Sequence, residues 1–157
     1  MTPDQCLRAV AAMEASWKRD AQALVTLTRP VDGEAPLALV LAEFAERALQ
    51  QLAAAHLDSR LAQEAGACEE SLRNDPVLTA TVLLATTYHC WSETAAEHDV
   101  LAAASLARCI LIGLAGLTDV DPADERVEEL IAWLRERALD GTWSEQQGRP
   151  DADAGRA

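Results

Sequence analysis

The chain has 157 residues and a formal net charge of −13, and half of its residues are hydrophobic. A chain of this length suits one domain with its own core, and its composition is too apolar for a wholly disordered protein. The negative charge would repel a phosphate backbone, so we expect no direct nucleic-acid partner. Alanine and leucine are frequent and favour helices, so the composition predicts an all-α protein without strands.

The cysteines indicate the cellular compartment of the protein rather than a chemical function. Cys6, Cys68, Cys90 and Cys109 are widely spaced and form no CxxC pair, and the chain shows no secretory leader pattern. We therefore expect reduced thiols and a cytoplasmic protein. The excess of arginine over lysine is typical of proteins from high-GC bacterial genomes and indicates no function.

Two helices are predicted at the start of the chain. Thr2 can cap the first helix, and Gln5 can complete a capping box. The helix is predicted to end near Lys18, and Asp20 to cap a short second helix. The predicted buried face of the first helix is Cys6, Val10, Met13 and Trp17.

Three further helices are predicted between a loop at 29–36 and Ser92. The third starts near Glu34, and its apolar stripe is Leu37, Leu41, Phe44, Ala48 and Leu52. The pattern pauses near His56, where Asp58 is a candidate cap for a fourth helix. Asp75 and Pro76 predict the start of a fifth helix. Its apolar stripe is Val77, Ala80, Leu84, Tyr88 and Trp91.

The segment from Val100 to Leu117 is apolar almost all the way round, interrupted only by Ser105 and Arg108. A helix without a polar face must be surrounded by other helices or by lipid. A charge near the middle costs about 2.5–3.5 kcal/mol on insertion scales, so we expect a core helix and no membrane association. A break between the fifth helix and this apolar helix is predicted between Ser92 and Asp99, with Asp99 as a candidate N-cap.

A last helix is predicted from Asp121 and Pro122 to Gly141. Its predicted core face is Val127, Leu130, Ile131, Leu134 and Ala138. Residues 142–157 are polar and aperiodic, which predicts a disordered C-terminal tail. The overall prediction is a helical domain over 1–141, a single compact bundle of about six to seven helices around the central helix at roughly 99–117.

Two clusters could carry chemistry or binding. His89, Glu93 and Glu97 are spaced by four, which could place a metal ion on one helix. The second-helix ligands of such a site are missing, so solvated charges are favoured, and we predict no metal and no cofactor.

An acidic patch surrounds the start of the last helix: Asp119, Asp121, Asp124, Glu125, Glu128 and Glu129. Carboxylates are favoured at a helix N-terminus, and the alternative is a docking patch for a basic surface.

Ser105 and Arg108 are three residues apart on the apolar helix, so they share a face. An arginine there must reach solvent, pair with a carboxylate or line a cavity. The simpler interpretation is an arginine at the rim or in an ion pair. The alternative is that Ser105 and Arg108 line a pocket or a subunit interface.

No GxSxG, P-loop, GxGxxG or HExxH motif is present, so an enzyme is the less favoured prediction. The favoured function is a non-enzymatic protein–protein interaction or regulatory module, with self-association as one form of it. The alternative is a small-molecule or metal-binding helical domain, including an enzyme. A third hypothesis is an acidic mimic that occupies a basic protein surface.

Overall fold

The computed structural model describes residues 1–63, 75–95, 99–118 and 126–141, without the side chains of residues 61 and 63. Within these ranges the chain forms six α-helices and no strand, which confirms the predicted all-α bundle. The helices are α1 (Pro3–Lys18), α2 (Ala21–Leu27), α3 (Leu37–Gln63), α4 (Pro76–Thr94), α5 (Val100–Leu117) and α6 (Arg126–Leu139). The predicted tail at 142–157 lies outside the described residues.

The start of the chain folds as its capping residues predict. The Thr2 hydroxyl accepts a hydrogen bond from the Gln5 amide at 3.2 Å, and the Gln5 side chain accepts one from the Thr2 amide at 2.8 Å. Arg19 ends α1 in the left-handed conformation, with φ of 57°. The Asp20 carboxylate then accepts from the Ala23 amide at 2.9 Å and caps α2. These local bonds set the turn between the first two helices.

Arg8 of α1 secures the loop that joins α2 to α3. Its guanidinium donates to the carbonyl oxygens of Leu27, Arg29 and Ala35, with a distance of 2.7 Å to Leu27. It also pairs with the Glu34 carboxylate at 2.8 Å. A forked cation with several donors can satisfy carbonyls that a loop would otherwise leave to water. The loop is therefore held against α1.

The predicted break at Asp58 is wrong, because α3 runs without interruption from Leu37 to Gln63. Between Pro36 and Gly66 the sequence has neither proline nor glycine, and the residues around Asp58 are His56, Leu57, Ser59 and Arg60. An isolated aspartate in a stretch without proline or glycine costs too little to end a helix. The stripe predicted for a separate fourth helix, at Ala65, Cys68 and Leu72, lies outside the described residues.

The core is built mainly by α1, α3 and α5. Its largest fully buried side chains include Met13, Leu41, Phe44, Leu49, Leu106 and Ile110. α5 contacts α1, α2, α3 and α4, which agrees with the predicted central position. One difference is that α5 buries a single face and leaves Leu101 79 % exposed and Ile112 42 % exposed. The Asp99 carboxylate caps α5 by accepting from the amides of Leu101 and Ala102, as predicted.

The two outer helices pack on different neighbours. α6 packs on α1 through its predicted face, since Val127, Leu130, Ile131, Leu134 and Ala138 are all buried. An ion pair between Arg135 and Glu14 links the same two helices. α4 packs on α3 and α5. The predicted start of the last helix at Asp121 and Pro122 lies outside the described residues.

Candidate interaction surface

Ser105 and Arg108 point to different surroundings. Ser105 is exposed, whereas Arg108 is half-buried, with its guanidinium carbon 5.9 Å from the centroid of the Trp17 ring. A cation over an aromatic ring is a favourable contact that needs no carboxylate. Three clefts in the described part of the chain, of about 650, 280 and 310 Å³, are lined by other residues. A pocket or interface at these two residues stays a prediction.

The candidate metal ligands are at the C-terminal end of α4. His89 Nε2 lies 3.4 Å from Glu93 Oε1, and both side chains are mostly exposed. Glu97 lies outside the described residues. Across the described ranges, no three histidine, cysteine, aspartate or glutamate side chains are close enough together to hold a metal ion. The described pair is a surface contact between neighbours one turn apart.

Only part of the predicted acidic patch is described. Glu128 and Glu129 are exposed in the first turn of α6, where carboxylates complement the helix dipole. The other four residues, Asp119, Asp121, Asp124 and Glu125, lie outside the described ranges. The patch as a docking surface therefore stays a prediction.

A buried charged cluster joins α3 to the start of α4, and sequence reasoning did not find it. The Asp75 side chain is only 2 % exposed. Its Oδ2 atom lies 2.7 Å from Arg60 Nη1 and 3.0 Å from His56 Nε2. Its Oδ1 atom accepts from the amides of Val77 and Leu78. Both carboxylate oxygens are thus occupied.

This cluster anchors α4 on α3. The hydrogen bond from His56, together with those from Arg60 and two amides, keeps the pKa of Asp75 below its usual range, although burial acts in the opposite direction. The sequence predicted Asp75 as a helix start and placed His56 near a helix end. His56 and Arg60 are in fact one turn apart inside α3. Their common partner is distant in sequence, so no local pattern could indicate it.

The outward side of α4 is the feature that best fits a binding surface. His89 and Glu93 are exposed on this side near its C-terminal end. Six further exposed side chains are uncharged, and we call them the α4 outer face: Thr79, Val82, Leu83, Thr86, Thr87 and Cys90. Val82 is 65 % exposed and Leu83 is 62 % exposed. From Pro76 to Ser92 the sequence contains no aspartate, glutamate, lysine or arginine. The outward side of α4 therefore carries no carboxylate, lysine or arginine before Glu93, on a strongly acidic protein.

Hydrogen bonds within α4 make this face less polar than its composition suggests. The hydroxyls of Thr86 and Thr87 donate to the carbonyls of Val82 and Leu83 at 2.9 and 2.7 Å. The Thr79 hydroxyl likewise donates to the Asp75 carbonyl at 2.9 Å. Because these donors are satisfied inside the helix, a partner could cover the threonines without leaving an unpaired hydroxyl donor.

α4 also buries polar residues that its sequence pattern did not select. Thr81 and Ser92 are buried, and each hydroxyl donates to a carbonyl of its own helix. Tyr88 is buried between α4 and α5, and its hydroxyl donates to the Cys109 carbonyl at 2.8 Å. Burial raises the pKa of Tyr88 to about 12. A Cβ added at Gly113 would collide with this hydroxyl, so the glycine permits the close approach of the two helices.

Three of the five residues predicted for the core stripe of α4 pack on the core, and its outer face was not predicted. Leu84 and Trp91 of the predicted stripe pack against the core, and Tyr88 is buried. The pattern that could have indicated the outer face is the absence of charge from Pro76 to Ser92. A solvent-facing helix side normally carries charged residues.

Comparisons of the chain with protein-family models, curated proteins and solved structures found no match. Among the described residues, α5 is the one helix long and apolar enough to span a membrane. That measure uses only length and composition, and the core helix of a soluble protein also satisfies it.

Proposed function

We propose that this protein is a non-enzymatic protein–protein interaction module that binds a partner through the α4 outer face. The observation that carries the proposal is the exposure of Val82 and Leu83, 65 % and 62 %, on a helix side that has no charged residue before Glu93. Full burial of one such side chain contributes about 1.5–3 kcal/mol. Two adjacent ones are a suitable centre for an interface, because binding energy concentrates in a few central residues.

The neighbouring helix also exposes large apolar side chains. α5 packs on α4 and exposes Leu101 and Ile112. Large apolar side chains are also exposed elsewhere, at Val25, Val31, Leu39, Trp133 and Leu139. Single exposed apolar residues are normal, whereas a concentration of them without charges is typical of a binding surface.

The test is purification of the tagged full-length protein from its source cells under native conditions, in three forms. The first is wild type, and the second carries Val82→Glu and Leu83→Glu. The third carries Leu139→Glu, a matched control, because Leu139 is 67 % exposed at the end of α6. Two buried carboxylates without partners would cost several kcal/mol in an interface. We expect a bound species, whether another protein or a second copy, to be lost from the double variant and kept by the control.

The proposal is wrong if all three forms retain the same species, or if wild type is recovered as a bare monomer. Circular dichroism of each form separates loss of binding from loss of folding. Since the substituted positions are exposed and glutamate is a good helix former, we expect all three spectra to agree.

A further inference from the structure

α2 buries little of its own surface in the bundle. It has seven residues, and Leu24 is the only one of them that is buried. A helix shorter than about 12–15 residues is marginal in water without a partner. α2 is therefore stable only while it stays packed on α1 and α5.

α2 is also incompletely packed against α1. A cleft of about 650 Å³ lies between the two helices. Its apolar walls are Ala11 and Ala15 of α1 and Ala23 and Leu27 of α2. Three of these four side chains are alanines, which are too short to fill the space. Moving α2 away from α1 therefore breaks fewer van der Waals contacts than opening a close-packed part of the core.

One side chain ties α2 and the loop after it to α1. Arg8 Nε and Nη2 donate to the Leu27 carbonyl at 3.1 and 2.7 Å, and Nη2 also donates to the Arg29 carbonyl at 3.3 Å. Nη1 donates to the Glu34 carboxylate and the Ala35 carbonyl at the end of the loop. The Arg8 side chain is only 12 % exposed. Water can take over these bonds when the loop leaves, which offsets part of their loss.

The segment turns through a left-handed residue on each side of α2. Arg19, between α1 and α2, has a φ of 57° and is the one non-glycine residue with a positive φ in the described ranges. Gly33, in the loop after α2, has a φ of 80°, and a Cβ there would meet no atom within 4 Å. The left-handed conformation is costly for arginine, so its release favours movement of α2. Hinged elements move by such changes in a few residues at their ends.

We infer that α2 and the loop at 28–36 form a flap that opens from the bundle as one unit, with Arg8 as its latch and Arg19 as its hinge. Its single buried side chain, its poorly filled cleft and its one polar latch make this opening less costly than unfolding of the whole protein. Opening gives access to the side of α1 that carries Ala11 and Ala15. This motion goes beyond the proposed function, because it does not involve the α4 outer face.

Amide hydrogen exchange of the full-length protein tests the flap. The Leu24 amide donates to the Asp20 carbonyl and the Thr28 amide donates to the Leu24 carbonyl, so both report on α2. Amides in the middle of α5 report on global unfolding. In wild type we expect the two α2 amides to exchange together, about a hundredfold faster than those of α5. Low concentrations of urea should accelerate them much less than the α5 amides, because the opening exposes little surface.

Two variants separate opening of the flap from global unfolding. Arg8→Met removes the latch and keeps an unbranched apolar side chain, so the Leu24 and Thr28 amides should exchange about tenfold faster. Ile131→Val removes one buried methyl group from α6 and should accelerate the α5 amides about two- to tenfold. It should leave the α2 amides unchanged, because the defect at position 131 is the same whether the flap is closed or open.

The flap is contradicted if the two α2 amides exchange at the rate of the α5 amides and respond equally to urea. It is also contradicted if Ile131→Val accelerates α2 as much as α5, since α2 would then leave the bundle only when the whole protein unfolds. Unchanged α2 exchange in Arg8→Met would show that Arg8 is not the latch. If Arg8→Met does not fold, the urea dependence of wild type and the Ile131→Val variant decide. None of these results bears on binding through α4.

Discussion

α4 and α6 both cover the core, but they differ in which residues they bury and which they expose to solvent. α6 buries Leu130, Ile131 and Leu134 and turns charged residues such as Glu128 outward. α4 buries Thr81, Tyr88 and Ser92 and turns Val82 and Leu83 outward. Both helices lie at the edge of the bundle, α6 on α1 and α4 on α3 and α5. Their position at the edge of the bundle therefore does not explain why α6 exposes charged residues and α4 exposes apolar ones.

The difference lies in what orients each helix. α6 is oriented by hydrophobic burial, since its charged side must face water. α4 has no charge between Pro76 and Ser92, so burial orients it weakly. Specific contacts orient it instead: the Asp75 carboxylate pairs with Arg60 and His56, and the Tyr88 hydroxyl meets the Cys109 carbonyl. An apolar side can then face outward, where a partner would cover it.

The largest effect is expected from truncating one leucine in each of the two helices. The two substitutions test the contrast between the buried side of α6 and the outward side of α4. Leu134 is 1 % exposed and Leu83 is 62 % exposed. Leu134→Ala should lower the free energy of unfolding by about 2–5 kcal/mol, because it opens a cavity in the core. Leu83→Ala should change it by no more than about 0.5 kcal/mol. Urea unfolding followed by circular dichroism, at protein concentrations low enough to exclude association, measures both. Comparable losses would mean that the α4 outer face is part of the monomer core.

Two glycines of α5 test how closely α4 packs. In a helix, glycine to alanine ordinarily stabilises by about 1 kcal/mol. Gly116→Ala should show about 0.5–1 kcal/mol of this gain, since an added Cβ meets no atom within 4 Å. Gly113→Ala should instead destabilise by about 1–2 kcal/mol, because its Cβ would collide with the Tyr88 hydroxyl. Thermal unfolding of the pair measures the difference. A gain at both positions would show that α4 and α5 are not held together at this point.

Tyr88→Phe is expected to have a smaller effect than Leu134→Ala, and it also tests the pH dependence of stability. Removing the hydrogen bond to the Cys109 carbonyl should cost about 1 kcal/mol. In wild type the folded state keeps the phenol proton until about pH 12, whereas the unfolded state loses it near pH 10. The contribution of Tyr88 is thus complete below about pH 10 and is lost as the pH rises toward 12.

The Tyr88→Phe variant should lack this part of the alkaline loss of stability. Tyr88 is the only tyrosine of the chain, so the absorbance of its phenolate reports its titration directly. Titration at the ordinary pKa in the folded protein would contradict the buried position of this side chain.

The sequence was most informative where structure depends on neighbours in the chain. The capping box of Thr2 and Gln5, the Asp99 cap and the core face of α6 were predictable, because each depends on residues three or four apart. The continuity of α3 through Asp58 was not predictable, because an aspartate can either cap a new helix or lie inside a continuous one. The sequence around Asp58 does not show that the preceding turn is helical. The cluster around Asp75 and the contacts of Arg8 join residues that are far apart in the sequence. Sequence periodicity could therefore not indicate them.

The sequence did not indicate the proposed binding surface by its residues. The interaction module was predicted with exposed apolar helix faces and the acidic last helix as contact surfaces, and with Ser105 and Arg108 as candidates for a pocket or interface. The α4 outer face remained unrecognised because a helix without charges from Pro76 to Ser92 has no marked solvent side over that stretch. Its outward residues became identifiable once the structure showed which side packs on α3 and α5.

The most direct test of the α4 outer face as a covered binding surface is the alkylation rate of Cys90, an exposed thiol on that face. We compare dilute purified protein with the same protein in concentrated native extract, and a thiol introduced by Leu139→Cys serves as the control. A site that is nine-tenths occupied should react about tenfold more slowly in extract, and the control thiol should not change. Val82→Glu with Leu83→Glu should restore the fast rate. Equal rates for Cys90 in dilute solution and in extract would contradict the account.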